Sequence, residues 1–263
     1  MPLPIVGIGT WQTFDIAEND PCRAGLQNIL RLLSSNGGRV IDSSPMYGKS
    51  EKVVGELLKE TKLQNNVFLA TKVWTKGKAA GIVQMNNSFE KFQTDRIDLM
   101  QIHNLLDWQT HLPVLNDWKS RERIKYTGIT HYHESAFAEV ESILRKEKFD
   151  FLQINYSLQR RKAEERLLPL AMDKGVGVII NQPFDSGSLF SIVRGKELPG
   201  FARELDCHSW SEYFLKFILS HPAVTCVIPS SGKAAHMIDN FRAGFGTLPD
   251  ASIRKKMVNF INE

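Results

Sequence analysis

Cysteine is scarce in this chain of 263 residues: only Cys22, Cys207 and Cys226 are present. The number is odd, the spacings are long and no C-x-x-C occurs, which excludes a disulfide framework and a cysteine zinc site. Free thiols fit a reducing compartment. No apolar run reaches the ~18 residues of a membrane-spanning helix. Met1-Pro2-Leu3-Pro4 lacks the charged and apolar regions of a signal peptide. Charge of one sign is absent too. The net charge is +4, and basic runs such as Lys119-Ser120-Arg121-Glu122-Arg123 and Arg160-Arg161-Lys162 are interleaved with acids. These runs read as solvated helix faces, so no nucleic-acid partner is expected. A mild positive field would still favour an anionic dinucleotide. Low-complexity segments and linkers are also missing.

What is present is a regular alternation. Short runs rich in Val, Ile and Leu predict strands at Pro4–Gly9, Arg39–Ser43, Val67–Val73, Asp98–His103, Tyr126–His131, Phe151–Tyr156, Val176–Asn181 and Thr225–Pro229. Their near-continuous hydrophobicity suits strands buried on both faces of a parallel sheet. Helical spacing appears between them at Glu51–Glu60, Ala136–Lys146 and Ser209–Leu219, and again near Ala234 and over Ile253–Ile261. Eight such units predict an α/β chain folded as a (β/α)8 TIM barrel, a single domain over residues 1–263. The length agrees, since one barrel needs ~250 residues. The rival is an open doubly wound sheet, which calls for G-x-G-x-x-G after the first strand. Gly7-Ile8-Gly9-Thr10-Trp11-Gln12 lacks the third glycine. The irregular stretch Asp185–Cys207 follows the seventh strand, so it is expected to form a lid-like loop at about 185–208 on the active-site face.

Barrel enzymes carry their chemistry at the C-terminal ends of strands. Asp42 and Tyr47 follow the second strand, Lys72 ends the third and His103 ends the fourth. Lys72 sits in an apolar run, where an unpaired charge is costly, and Asp42 on the adjacent strand is its natural partner. A tyrosine is a poor acid near neutrality, and a neighbouring lysine cation lowers its pKa. A histidine beside it can hydrogen-bond a carbonyl oxygen. Such a cluster suits proton delivery to an oxygen on which negative charge develops. No side chain donates hydride, so a reduction here requires a cofactor.

Gly7-Ile8-Gly9-Thr10-Trp11, Asp42 to Tyr47-Gly48, Thr71-Lys72-Val73-Trp74, Gln101-Ile102-His103, Gly128-Ile129-Thr130 and Val227-Ile228-Pro229-Ser230-Ser231-Gly232-Lys233 resemble the aldo-keto reductases, in order, over nearly the whole chain. The resemblance implies a metal-free (β/α)8 oxidoreductase that reduces an aldehyde or ketone with NAD(P)H. It assigns Asp42, Tyr47, Lys72 and His103 to the family's tetrad. It places the nicotinamide carboxamide on Thr130, His131 and Gln153, with His131 replacing the usual asparagine. It places the rest of the cofactor along Gly9, Thr10 and Trp11, along Asn181, Gln182, Pro183 and Phe184, and at Ser230, Ser231, Gly232, Lys233, His236 and Asn240. The family commonly stacks an aromatic residue on the nicotinamide where this chain has Asn181, which leaves Phe184 as a substitute. Ser230 and His236 stand where many NADPH-preferring members have Lys and Arg. Lys233 and the start of the helix near Ala234 remain to meet a 2′-phosphate. NADPH is the expected cofactor, with NADH the alternative. A small carbonyl substrate is expected against Trp11, Tyr47, Trp74 and His103, with Leu105, Leu189 and Phe190 as further walls.

The family often plugs the barrel bottom with a hairpin, whereas this chain starts almost on its first strand. A cytoplasmic monomer is expected, and export stays open if a longer natural N-terminus precedes Met1. Two other functions compete. One is a metal-dependent hydrolase using His103, His131 and His133. The other is a nicotinamide-binding sensor without turnover, which has no need of a lysine-tuned acid.

Overall fold

The computed structural model describes residues 5–262. Pro4, where the first strand was expected to begin, lies outside the described residues, as do Met1 to Leu3 and Glu263. The chain runs β1 (Ile8–Gly9), α1 (Arg23–Ser35), β2 (Val40–Asp42), α2 (Ser50–Thr61), β3 (Phe68–Val73), α3 (Lys78–Phe92), β4 (Ile97–His103), α4 (Trp108–Ser120), β5 (Ile124–His131) and α5 (Phe137–Lys146). It continues through β6 (Phe151–Asn155), α6 (Leu167–Asp173), β7 (Gly177–Asn181), α7 (Ser188–Ile192), α8 (Trp210–Leu219), β8 (Val224–Val227), α9 (Ala234–Arg242) and α10 (Ala251–Asn262). The strands form one eight-stranded sheet in sequence order, and every neighbouring pair is parallel. A parallel bridge between Val6 and Val227 joins the two edges. There Gly7 N–H donates to the Val227 carbonyl and Val227 N–H to the Ile5 carbonyl, both at 2.9 Å. The expected (β/α)8 barrel is therefore the observed fold.

The period of two along each strand sorts side chains into two cores. Val40, Phe68, Ala70, Leu99, Phe151, Ile179, Cys226 and Ile228 fill the barrel interior. The alternate residues, such as Ile41, Leu69, Met100, Ile102, Leu152 and Val178, join the larger core beneath the helices. The helices present matching stripes: α1 buries Leu26, Ile29, Leu30 and Leu33, and α5 buries Phe137, Val140, Ile143 and Leu144. Ser209 caps α8, its hydroxyl accepting from Glu212 N–H at 3.2 Å. Arg254 anchors α10 across the barrel. It donates to the Tyr156 hydroxyl at 2.7 Å, and its guanidinium lies 4.0 Å from the Phe217 ring centre.

Residues 185–207, expected as irregular, contain helical turns at Asp185–Gly187 and Gly200–Leu205 besides α7. Aromatic packing orders the segment, with Phe184 and Phe190 4.9 Å apart and Phe190 5.7 Å from Phe214 of α8.

Candidate active site

A cleft of about 940 Å³ opens at the C-terminal ends of the strands. Loops after β1, β4 and β7 shape it, and they carry side-chain-bearing residues in the left-handed region: Gln12 (φ 60), Asn104 (φ 52), Leu105 (φ 58) and Gln182 (φ 47). Such strain costs on the order of 1–3 kcal/mol per residue and concentrates where geometry serves binding. Gly48, next to Tyr47, has φ 57, and a side chain there would collide with the Asp15 carboxylate. The turn that projects Tyr47 therefore requires glycine.

Below the cleft lies a network of buried charge. Lys72 Nζ donates to Asp42 Oδ2 at 2.6 Å and to the Ser43 carbonyl at 2.7 Å. Asp42 Oδ1 accepts from Gln101 Nε2 at 3.1 Å and from Gln153 Nε2 at 2.8 Å. Strand period explains the convergence: Asp42, Lys72, Gln101 and Gln153 all take inward positions on β2, β3, β4 and β6. Gly128, opposite Gln101 in register, leaves room, since a Cβ there would lie 3.0 Å from Gln101 Cγ. Lys72 and Asp42 are only 0% and 2% exposed, so each charge depends on the other.

Burial alone would depress the Lys72 pKa, but the Asp42 carboxylate, then Tyr47, hold it above its ordinary value. Lys72 is therefore a cation at every physiological pH. Its Nζ lies 5.3 Å from the Tyr47 ring centre. Sequence reasoning expected this cation to lower the Tyr47 pKa. Lys72 does pull in that direction, but burial is the larger influence and the phenol sits above its ordinary value. The physical reason is desolvation of the buried phenol, to which the negative charge of Asp42 adds.

His103 stands edge-on to Tyr47, ring centres 6.0 Å apart. Burial, then the Lys72 charge, hold it down at about pKa 3, so the imidazole is neutral. Its Nδ1 shares a hydrogen bond with Ser44 Oγ at 3.1 Å, which leaves the other ring nitrogen for a ligand. Behind β3, Glu51 of α2 is buried and accepts from Thr71 Oγ1 at 2.6 Å and Ser88 Oγ at 2.8 Å. This fixes the residue next to Lys72.

Gly9, Thr10, Trp11, Asp42, Tyr47, Trp74, His103, Thr130, Gln153, Asn181, Gln182, Pro183, Phe184, Phe190 and Ser230 all line the cleft. Leu105 and Leu189 do not; they are 7% and 0% exposed, within the hydrophobic core. Sequence reasoning missed Gln12, Thr13, Met46, Asn104, Tyr132 and Ser186 on the wall, and Gln101 and Ser44 beneath it. Among the described residues no group of three or more His, Cys, Asp or Glu side chains is arranged to hold a metal ion. His131 Nδ1 instead accepts from His133 N–H at 3.1 Å.

A nicotinamide nucleotide fits these residues. The buried amide oxygens of Asn104 and Asn181 lack partners. Thr130 and Gln153, paired in register on β5 and β6, offer a hydroxyl and an amide on one wall.

The model of the aldo/keto reductase family matches residues 5–256. This chain belongs to that family. It is 25% identical over 190 residues to an aldo-keto reductase of Bacillus subtilis, covering 66% of this chain. It is 28% identical over 214 residues to the NADH-specific methylglyoxal reductase of Escherichia coli, covering 69% of this chain. The matched regions span 56% and 63% of those relatives' own lengths. An aldo/keto reductase of Klebsiella pneumoniae, solved in complex with NADP and acetate, superposes with a TM-score of 0.81 at 23% identity. That superposition covers 98% of this chain and 92% of the other. It establishes the shared barrel.

His131 ends β5 beside Thr130 and is half-buried. Its ring stacks on Tyr132 at 5.8 Å and 7°, and Tyr132 lines the cleft. Of the residues expected for the adenosine end, Ser230 lines the cleft, and Ser231, Gly232, Lys233, His236 and Asn240 lie beyond it, around the start of α9. Ser231 Oγ meets His236 Nδ1 at 3.3 Å and accepts from Lys233 N–H at 3.2 Å. Gly232 has open space around its Cβ position. Asn240, 1% exposed, donates to Met237 Sδ at 3.4 Å. Ser230 Oγ donates to the Gly9 carbonyl at 2.8 Å, which ties this segment to β1.

Proposed function

We propose that the protein reduces an uncharged aldehyde or ketone to an alcohol with a nicotinamide cofactor. The observation that carries this reading is the buried Asp42–Lys72 pair beneath Tyr47 and a neutral His103, at the floor of an aromatic-walled cleft. Reduced nicotinamide, when bound, supplies the hydride. The chain's own residues do the rest. Tyr47 Oη hydrogen-bonds the carbonyl oxygen and gives it a proton as negative charge develops there. Lys72 stabilises the tyrosinate left behind. Asp42 holds Lys72 charged and aimed, and Gln101 and Gln153 hold Asp42. His103, uncharged, hydrogen-bonds the same carbonyl oxygen without competing as a cation. Thr130 and Gln153 position the nicotinamide amide.

Phe184 and Phe190, at the start of the lid at about 185–208, shed water from the reacting atoms. Trp11 and Trp74, 50% and 41% exposed, give the substrate apolar walls. Among the described residues no lysine or arginine lines the cleft, which favours an uncharged substrate. The cofactor is NADPH, whose 2′-phosphate Lys233, His236 and the start of α9 would hold. The Klebsiella pneumoniae protein is solved with NADP, while the Escherichia coli relative is NADH-specific.

The test is oxidation of NADPH and NADH by the wild-type protein with a panel of neutral and anionic aldehydes. Consumption with neutral aldehydes, faster with NADPH, is expected. Tight cofactor binding with no consumption anywhere on the panel would replace the reductase with a sensor.

A further inference from the structure

The opposite end of the barrel carries a second concavity, of about 930 Å³, where the strands begin. Three rings in mutual contact form its floor. Tyr126 lies 5.4 Å from Phe151 and 6.0 Å from Phe68, and Phe68 lies 6.0 Å from Phe151. Six cations surround it, Arg39, Arg96, Lys119, Lys125, Lys148 and Lys174, against three carboxylates, Asp98, Glu147 and Asp150.

Two of these carboxylates are already committed. Asp98 accepts from Arg96 at 2.7 Å and from Leu69 N–H at 3.0 Å. Asp150 accepts from Lys119 at 2.6 and 2.7 Å and from Thr127 N–H at 2.8 Å. The remaining lysines are under-used. Lys174 Nζ donates to the Arg145 carbonyl at 3.1 Å and keeps two further N–H groups. Lys148 makes no hydrogen bond or ion pair among the described residues. Lys125 Nζ lies 5.3 Å from the Tyr126 ring centre.

This face of a barrel ordinarily serves stability, yet like charges gathered at an aromatic floor oppose it by mutual repulsion. Flat apolar rings flanked by Lys125, Lys148 and Lys174 match one ligand chemistry: a planar ring bearing negative charge. The volume lies within the ~300–1,000 Å³ of small-molecule sites. We propose that this concavity binds a planar aromatic anion, its ring against Tyr126 and its charge between Lys125 and Lys148. The site is at the far end of the barrel from Tyr47 and shares no lining residue with the cleft.

The test is calorimetric titration of the NADP-saturated protein with 2-naphthoate and, separately, with neutral 2-naphthamide. Both are repeated on the Lys125→Ala/Lys148→Ala variant, whose two positions are exposed and whose fold is checked by circular dichroism. Naphthoate is expected to bind the wild type, and to bind the double variant about tenfold more weakly, since both cations that face its carboxylate are removed. Naphthamide is expected to be weaker by a similar factor, while aldehyde turnover in the double variant stays unchanged. Equal naphthoate affinity in the two proteins, naphthamide binding as tightly as naphthoate, or no binding at millimolar naphthoate would each overturn the proposal.

Discussion

The two ends of the barrel use the same chemical pair, a cation and a carboxylate, under opposite conditions. At the C-terminal end the Lys72 and Asp42 side chains are 0% and 3% exposed. At the N-terminal end the Lys119 and Asp150 side chains are 41% and 27% exposed, and Arg96 beside Asp98 is 66% exposed. Water screens the second set, so each pair is worth at most ~1 kcal/mol. No water screens the first. There the desolvation cost must be met by mutual attraction and by every remaining hydrogen bond, which Gln101, Gln153 and the Ser43 carbonyl supply. A fold gains little stability from such a buried pair. It gains a fixed positive charge beside a phenol.

The sharpest way to break this contrast is Asp42→Ala, which strands the Lys72 charge. A loss of about 3–5 kcal/mol is expected, read from urea unfolding. A loss below ~1 kcal/mol would mean that the buried pair behaves like a surface one.

A smaller effect is expected at His103, where pH separates the ends. Its pKa is lowered from 6.5 to about 3 in the folded chain. The unfolded chain therefore binds the extra proton between those values, and stability falls as pH drops through that window and is fully present above it. His103→Gln should lose that part of the acid sensitivity, seen as a shallower decline of unfolding free energy from about pH 6.5 to 3. An unchanged slope would show that His103 is not held neutral by its surroundings.

The smallest effect belongs to the exposed end. Lys119→Ala should cost under ~1 kcal/mol in the same urea assay and lose most of that in high salt. A salt-insensitive loss of several kcal/mol would erase the distinction between the two ends.

Legibility from sequence followed the same division. The eight strands stand out because a barrel strand is apolar on both sides, and β3, β4 and β6 begin and end within one residue of where the apolar runs place them. β5 begins earlier, at Ile124 rather than Tyr126, because Lys125 reaches solvent at the open end and interrupts the run. The turns inside 185–207 were hidden because glycine and proline mask local helix signals that aromatic packing restores. Asp42, Tyr47, Lys72 and His103 could be found because a charge or phenol at the end of an apolar strand is conspicuous. Gln101 and Ser44 were not, since a buried amide or hydroxyl in a run shows nothing of what it will bond. His131 was assigned to the nicotinamide by resemblance alone.

The proposed proton transfer from Tyr47 at the cleft floor is tested most directly by the turnover of Tyr47→Phe beside its cofactor affinity, on an aldehyde that the wild type reduces. A fall in kcat of about 10²–10⁴-fold with cofactor Kd unchanged is predicted. Wild-type turnover in Tyr47→Phe would contradict it.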